Sequence, residues 1–300
     1  MKWRGYNLSE LMLGTAQLSN AYGIANTLGA PSRSEALGII ATAWQGGINS
    51  FDTAPNYGDS ESVLGDCLKQ LGVNSKALVI TKVSRDAFDD EDSTIQSITD
   101  SRDKIGTESI FGVLSHHPKI EQILEDKYRR LFSKLKKRKL VQFTGISVYS
   151  GEDALKAITS EFFDIIQMPL NVFDRTAVDL DIIDHAKFHD KLLVFRSIFL
   201  QGLLIMNAHD LPPKMEFATD TIREWNSFCK EKKLTPVEAA MGIALQLSKG
   251  YPLLVGAESA SQISNNLDAF KKGMHHKNLI EDSKILLKKS TVRLCNPSLW

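Results

Sequence analysis

Short apolar runs alternate with longer segments of helical periodicity along most of this chain. Each run has the length of a β-strand, and the segments between the runs carry apolar residues at helical spacing. The runs lie at residues 11–13, 48–51, 77–80, 111–114, 143–146, 164–167, 192–195 and 253–255. The pattern therefore predicts strands that alternate with helices.

Local signals mark where two of the helices begin. Ser32 and Glu35 have the spacing of a capping box at the start of segment 32–44, and a Gly-Gly pair after that segment predicts its end. Thr235-Pro236 predicts the start of another helix, because proline is favoured at the first helical position.

This alternation favours an α/β fold of the (β/α)8 TIM-barrel type over an open doubly wound sheet. Eight strand–helix units in about 250 or more residues match such a barrel. An open sheet that bound a dinucleotide would usually carry Gly-x-Gly-x-x-Gly after its first strand, whereas the first strand here leads into GTAQL at residues 14–18. No linker or internal repeat is visible, so residues 1–300 are predicted to form a single domain.

The longest segment without clear periodicity is residues 201–216, which follow the seventh predicted strand. Long loops at that end of a barrel commonly cover a site. We therefore expect this segment to lie over the functional site.

Composition excludes several classes of protein. The chain has 36 basic and 36 acidic residues, so its charge gives no sign of a general nucleic-acid or anionic-membrane binder. The three cysteines are widely spaced and predict neither a disulfide framework nor a zinc motif. Residues 1–10 lack the apolar core of a signal peptide, and we expect a cytoplasmic protein.

Four polar side chains stand at or just beyond the ends of three successive predicted strands. They are Asp52, Tyr57, Lys82 and His116. Because the carboxyl ends of barrel strands meet at one mouth, we expect these side chains to share one cavity.

A tyrosine, a lysine, a carboxylate and a histidine gathered in this way form a proton-delivery group. A free phenol has a pKa near 10, so Tyr57 holds a proton at neutral pH and gives it up readily only if its anion is stabilised. Lys82 would supply that stabilisation, and Asp52 would keep Lys82 charged and oriented. His116 would orient a carbonyl oxygen or share the proton. The arrangement suits carbonyl reduction by a nicotinamide cofactor.

Each of these residues has an ordinary structural interpretation when taken alone. An aspartate at a strand end is often a turn residue, and lysines mostly lie at the surface. His116 and His117 could be a metal pair, but adjacent residues on a strand point to opposite faces and no spaced carboxylate completes a ligand set. We therefore predict no metal site, and the joint occurrence at three strand ends favours the catalytic interpretation.

These segments resemble those of the aldo-keto reductases, a family of barrel oxidoreductases. FDTAPNYG at residues 51–58 is similar to the family's Asp-x-Ala-x-x-Tyr-Gly segment, TKV at 81–83 to its strand-three lysine, and SHHP at 115–118 to its His-x-Pro segment. The resemblance covers nearly the whole chain. It implies that Asp52, Tyr57, Lys82 and His116 are the catalytic residues.

The resemblance also implies a cofactor site. Ser147 and Gln167 match the residues that hold the nicotinamide carboxamide, although Val148 stands where the family often has asparagine. Residues 196–204 resemble the segment that covers the pyrophosphate, and residues 256–266 the segment that grips the adenosine end. The cofactor-binding residues predicted in this way are Gly14, Thr15, Ser147, Gln167, Ser197, Phe199, Gln201, Gly256, Glu258, Ser259, Gln262, Asn265 and Asn266.

Two arguments about the cofactor conflict. The resemblance to the family by itself favours NADP(H). In relatives that prefer NADP(H), basic residues in this stretch contact its 2′-phosphate. Here no lysine or arginine lies between Gly250 and Phe270, and Glu258 stands near the expected phosphate. A carboxylate would repel the phosphate and could accept hydrogen bonds from a free ribose hydroxyl. NADP(H) and NAD(H) both stay open, and Glu258 favours NAD(H).

The resemblance leaves two functions open. The first is an oxidoreductase that interconverts a carbonyl compound, sugar-like or otherwise polar, and its alcohol, with Tyr22 and His117 near the substrate. The second is a cofactor-binding regulatory subunit with the same barrel, like the β-subunits of some potassium channels. No nucleic-acid or membrane partner is predicted, and the sequence does not indicate an oligomeric state.

Overall fold

The protein folds around a closed barrel of parallel strands, which confirms the predicted (β/α)8 architecture. The computed structural model describes residues 1–83, 90–115, 120–276 and 278–300. Within these ranges the barrel strands pair in the order β10-β3-β4-β5-β6-β7-β8-β9, and β10 closes onto β3. The barrel strands are β3 (Leu11–Gly14), β4 (Ser50–Asp52), β5 (Leu78–Val83), β6 (Ile110–Ser115), β7 (Val141–Ser147), β8 (Ile165–Pro169), β9 (Leu192–Arg196) and β10 (Leu253–Val255).

Several strands extend past their apolar runs and include the polar residues that were expected just beyond them. Asp52 is the last residue of β4, and Lys82 lies within β5. Their backbones remain in register, with Asp52 opposite Ile80 and Lys82 opposite Leu114. A strand ladder uses only backbone groups, so a polar side chain does not end it. Lys82 is two residues after Ile80, and alternation therefore puts it on the same face as Asp52.

Helices surround the barrel and follow the predicted boundaries closely where caps mark them. Ser32 and Glu35 form the capping box of α1, and Thr235 and Glu238 form that of α10. The α-helices are α1 (Arg33–Gln45), α2 (Ser60–Gln70), α3 (Glu91–Ile105), α4 (Ile120–Ile123), α5 (Asp126–Lys137), α6 (Gly151–Thr159), α7 (Thr176–Asp179), α8 (Ile182–Phe188), α9 (Thr219–Glu231), α10 (Pro236–Ser248), α11 (Ala260–Gly273), α12 (Leu279–Asp282) and α13 (Val292–Cys295).

A small hairpin, which the sequence pattern did not predict, covers the amino end of the barrel. Its strands are β1 (Lys2–Trp3) and β2 (Tyr6–Asn7), paired antiparallel. Trp3 packs 4.6 Å from Phe143 between ring centroids, and Tyr6 packs 5.1 Å from Phe111. This aromatic cluster closes the end of the barrel opposite to the carboxyl ends of the strands.

The segment after β9 differs from the prediction of an irregular loop. It contains 3-10 turns at Leu200–Ile205 and Pro213–Ala218. The first is broken at Gln201 and Gly202, whose φ angles are 53° and 96°. Such turns carry no 3.6-residue apolar period, so the pattern could not reveal them.

That residues 1–300 form one domain stays a prediction. Across the described residues, no helix combines the length and apolarity needed to cross a membrane.

Candidate active site

A cavity of about 320 Å³ opens at the carboxyl ends of the barrel strands. Three of the four predicted catalytic residues, Asp52, Tyr57 and Lys82, line it. Other predicted site residues that line it are Gly14, Thr15, Tyr22, Ser147, Gln167, Ser197, Phe199, Gln201, Gly256, Glu258 and Gln262. The topology of the barrel thus brings together residues that are up to about 250 positions apart in sequence.

A buried ion pair lies at the base of this cavity. The Lys82 ammonium donates to Asp52 Oδ2 at 2.6 Å and to the Thr53 carbonyl at 3.0 Å. Asp52 and Lys82 are each only 2% exposed. Burial pushes the pKa of Lys82 down, but the Asp52 carboxylate and the Tyr57 phenol outweigh it, so the pKa of Lys82 lies above its ordinary value. Lys82 therefore stays charged throughout the physiological range of pH.

The end of β4 is fixed by neighbouring backbone. The Asp52 carbonyl accepts hydrogen bonds from Thr15 N at 2.9 Å and from Thr15 Oγ1 at 3.1 Å. Thr53 N donates to the carbonyl of Ile80 at 2.8 Å. These bonds hold β4 between β3 and β5 and so set the position of the carboxylate against Lys82.

Tyr57 lies in the loop between β4 and α2, above the ion pair. Its ring centroid is 4.9 Å from Lys82 Nζ. Tyr57 is partly exposed, whereas the ammonium beneath it is buried. The phenol can therefore meet a substrate from the cavity while a fixed positive charge stands behind it, shielded from water.

Hydrogen bonds continue from the ion pair to β8 and β7. Gln167 Nε2 donates to Asp52 Oδ1 at 2.8 Å, and Ser147 Oγ donates to Gln167 Oε1 at 3.2 Å. The carboxylate only accepts, which fixes the amide nitrogen of Gln167 toward it. Both oxygens of Asp52 are thus engaged, and the predicted carboxamide-binding residues are joined to the predicted catalytic ones.

The segment around residue 258 stands at the start of α11 on the rim of the cavity. Ser259 Oγ accepts from Gln262 N at 3.2 Å, and Gln262 Oε1 accepts from Glu258 N at 2.8 Å. Asn266 is buried and donates to the Gly256 carbonyl at 3.5 Å, whereas Asn265 is exposed. Ser259, Asn265 and Asn266 do not line the cavity, and two of them instead shape the backbone of the rim.

Glu258 is half-buried on this rim. Burial raises the pKa of its carboxyl, and the hydrogen bond with Gln262 acts in the opposite direction without cancelling the rise.

Gly256 lies so close to Gln17 that a Cβ there would come within 2.2 Å of Gln17 Nε2. A larger residue at position 256 would therefore require the Gln17 side chain to move.

Tyr149 and Arg196 also line the cavity; Tyr149 was not predicted as a site residue, and Arg196 was predicted only as the first residue of the segment 196–204. The guanidinium carbon of Arg196 stands 4.1 Å from the Tyr149 ring centroid, and Arg196 Nη2 donates to the Val148 carbonyl at 3.1 Å. Both residues were within reach of sequence reasoning. Arg196 ends β9, and Tyr149 comes two residues after the end of β7. Both follow the pattern of the predicted catalytic residues, which stand at or just beyond the carboxyl ends of barrel strands.

Tyr22 connects this part of the cavity to the loop after β9. Its hydroxyl accepts from Gln201 Nε2 at 3.0 Å, and Ile24 N donates to the Gln201 carbonyl at 2.9 Å. Loss of solvent raises the pKa of Tyr22, as do Tyr57 and Tyr149, while Arg196 lowers it. The segment after β9 thus contacts the loop after β3 at the mouth of the barrel, beside the predicted proton donor.

His116 and His117 lie outside the described residues. Ser115, directly before them, ends β6 and stands in register with Val83 of β5 and Ile146 of β7. The roles assigned to the two histidines stay predictions.

Comparison with known families decides the identity of this barrel. Residues 10–280 match the model of the Aldo/keto reductase family. The chain belongs to this family. As an aldo/keto reductase it is an oxidoreductase that acts on carbonyl and alcohol groups. The family generally uses NAD(P)H.

Three similar proteins illustrate the range of the family. L-galactose dehydrogenase of Arabidopsis thaliana is 25% identical over 94% of this chain and 92% of its own length. D-threo-aldose 1-dehydrogenase of a Pseudomonas species is 22% identical over 83% of this chain and 87% of its own. The solved structure of a glycerol dehydrogenase from Gluconobacter oxydans aligns with a TM-score of 0.77 at 24% identity, covering 99% and 96% of the two chains. This last likeness supports the aldo/keto reductase fold.

Proposed function

We propose that this protein interconverts a sugar or other small polar carbonyl compound and its alcohol, with Tyr57 carrying the proton. The observation that supports this most strongly is the buried Asp52–Lys82 ion pair, whose ammonium lies 4.9 Å from the Tyr57 ring. A buried ion pair is costly to desolvate. Its place beneath a partly exposed phenol fits a role in proton transfer.

The chain's own groups perform the proton half of the reaction. A nicotinamide cofactor, when bound, would supply hydride to the carbonyl carbon or accept it from the alcohol. As a carbonyl is reduced, negative charge grows on its oxygen, and the Tyr57 hydroxyl donates its proton there. The phenolate that forms is stabilised by the Lys82 ammonium. Asp52 and the Thr53 carbonyl hold that ammonium in place, so no charged group has to move during the step.

The described residues fit a nicotinamide cofactor. Ser147 and Gln167 offer a hydroxyl and an amide at the base of the cavity, which complement a carboxamide. Ser197, Phe199 and Gln201 are proposed to cover the pyrophosphate. The rim formed by residues 256–262 precedes and begins helix α11, whose amino end favours a nearby anion.

Glu258 is proposed to make NAD(H) at least as good a cofactor as NADP(H). The cationic side chains that line the cavity among the described residues are Lys82 and Arg196, and neither belongs to the rim at 256–262. A repulsion of only about 1.4 kcal/mol between Glu258 and a 2′-phosphate would change affinity tenfold.

Fluorescence titration of both cofactors tests this preference. Glu258→Arg is expected to tighten NADP(H) binding and to leave NAD(H) binding similar or weaker. Glu258→Gln, which removes only the charge, should give a smaller gain for NADP(H). A wild-type protein that prefers NADP(H) by tenfold or more would contradict the proposal.

The sugar class is suggested by the relatives. Two of them are named for oxidation of L-galactose and of D-threo-aldoses.

A panel of aldoses and small aldehydes, assayed in both directions with NAD(H) and NADP(H), tests the activity. Turnover that depends on the cofactor is expected. Cofactor binding without turnover of any panel member would instead support a regulatory subunit.

A further inference from the structure

Two cations line the cavity in the part of the chain that the structure describes, and their surroundings differ. Lys82 is neutralised by its ion pair with Asp52. Arg196 donates to neutral acceptors, namely the Val148 carbonyl at 3.1 Å and Ser197 Oγ at 3.3 Å. Among the described residues, no carboxylate oxygen lies within 4.0 Å of the Arg196 guanidinium nitrogens. The charge of Arg196 is therefore not compensated by a direct ion pair there.

Asp174 is an acidic residue whose pKa is affected by the charge of Arg196. Burial raises the pKa of Asp174, while bonds with Thr176 and the charge of Arg196 lower it without cancelling the rise. Asp174 does not line the cavity, and its Oδ1 accepts a hydrogen bond from Thr176 N at 3.2 Å. Asp174 therefore offsets part of the positive charge of Arg196 without forming a direct ion pair with its guanidinium.

Arg196 lines the same cavity as Tyr57, the predicted proton donor. Its guanidinium stacks on the Tyr149 ring at 4.1 Å. Tyr22 lies within electrostatic range of Tyr57, Arg196 and Tyr149 together. Tyr22, Tyr57, Tyr149 and Arg196 line one cavity of about 320 Å³, so a small carbonyl compound held at Tyr57 would lie in the cavity that Arg196 also lines.

We propose that Arg196 binds an anionic substituent, a carboxylate or a phosphate, of the carbonyl substrate. This inference rests on the proposed function, since it names the substrate class of the same cavity. A guanidinium has five N–H donors in a planar fork that matches carboxylate and phosphate oxygens. Two of these donors bond to Val148 and Ser197, and the other three are left for a ligand.

Pairs of substrates that differ only in charge test the proposal. Succinic semialdehyde is compared with butyraldehyde, and D-glyceraldehyde 3-phosphate with D-glyceraldehyde, by kcat/KM. The wild-type protein is expected to favour at least one anionic member. Arg196→Gln should lower the ratio of anionic to neutral kcat/KM by about 10- to 100-fold, the usual effect of losing a hydrogen bond between charged groups.

Two further variants control the comparison. Arg196→Lys should fall between wild type and Arg196→Gln, because lysine keeps the charge without the fork. Arg223→Gln makes the same chemical change on the exposed face of α9, where Arg223 pairs with Asp220, and should leave the ratio unchanged. An unchanged ratio in Arg196→Gln would overturn the proposal.

Binding measurements separate this proposal from its alternatives. Titration with glycerol 3-phosphate and with glycerol needs no turnover. Selective loss of glycerol 3-phosphate binding in Arg196→Gln would support the anion site even if every aldehyde failed as a substrate. If Arg196→Gln instead weakened NAD(P)H binding tenfold and left the substrate ratio intact, the anion would be the cofactor's phosphate. That result would overturn the assignment to substrate.

Discussion

The Asp52–Lys82 pair shows what individual residues contribute to this site. Two charges that are almost fully buried lose their hydration, and the pair persists only because its remaining polar atoms are also bonded. The Thr53 carbonyl accepts a hydrogen bond from the Lys82 ammonium, and Gln167 Nε2 donates one to Asp52 Oδ1. The outcome is a positive charge with a fixed position, which is what a tyrosine proton donor requires.

Removing that charge should change the pH dependence of the reaction as well as its rate. In Lys82→Met the Tyr57 phenolate loses its stabilising cation, so alcohol oxidation, which needs the phenolate, should rise only at higher pH than in wild type. The measurement is a pH–rate profile in both directions. Lys69→Met, a change at the exposed end of α2, serves as the control. A lower rate with an unmoved profile would mean that Lys82 and Tyr57 are not coupled.

Among the elements, the starts of helices α1 and α10 were the most predictable from sequence. The capping box of Ser32 and Glu35 and the helix start at Thr235-Pro236 were predicted from neighbouring residues, and helices begin at both places. Strand ends were less predictable, because backbone pairing with the adjacent strands continues through Asp52 and Lys82. The spacing of apolar residues reflects which side chains are buried, whereas hydrogen bonding between strand backbones continues past the last apolar residue.

The cap of α10 makes a prediction about stability and pH. Glu238 accepts from Thr235 N at 2.9 Å and from Lys272 Nζ at 2.7 Å. The bond with Lys272, followed by those with Thr235, lowers the pKa of Glu238 to about 2. Because this pKa lies below that of the unfolded chain, the stabilisation is fully present above the ordinary carboxyl pKa. It is lost as the pH falls from there toward 2.

Glu238→Gln should therefore lower the free energy of unfolding by about 1 kcal/mol at neutral pH, the usual worth of a helix cap. The difference from wild type should narrow steadily below the ordinary carboxyl pKa. Denaturant unfolding at a series of pH values measures both effects. Glu216→Gln repeats the substitution at an exposed position. A difference that does not vary with pH would show that the charge of Glu238 is not what stabilises the cap.

The segment after β9 is the element that sequence reasoning described least well. Ser197, Leu200 and Gln201 have positive φ angles of 63°, 47° and 53°. Side chains other than glycine adopt this region at a cost, and the conformation persists only where surrounding contacts impose it. The contacts of Gln201 with Tyr22 and Ile24 supply such restraint. They depend on a loop about 180 positions away, which no local pattern reports.

At the scale of the whole molecule, topology explains which site residues could be predicted. Parallel strands of one barrel end at one mouth, so polar residues at successive strand ends meet even without an alignment. Asp52, Tyr57 and Lys82 do meet in this way. Arg196 and Tyr149 stand at the mouth for the same reason. The hairpin at the amino end was missed because its two-residue strands carry no periodicity.

The most direct test of the account is the rate of carbonyl reduction by Tyr57→Phe. The substitution keeps the ring against Lys82 and removes only the hydroxyl. We expect kcat to fall by about 10²- to 10⁴-fold, the usual contribution of general acid catalysis. Cofactor affinity, measured by fluorescence titration, should stay within a few-fold of wild type. A variant that reduces the same substrate at a rate near that of wild type would contradict the assignment of Tyr57 as proton donor.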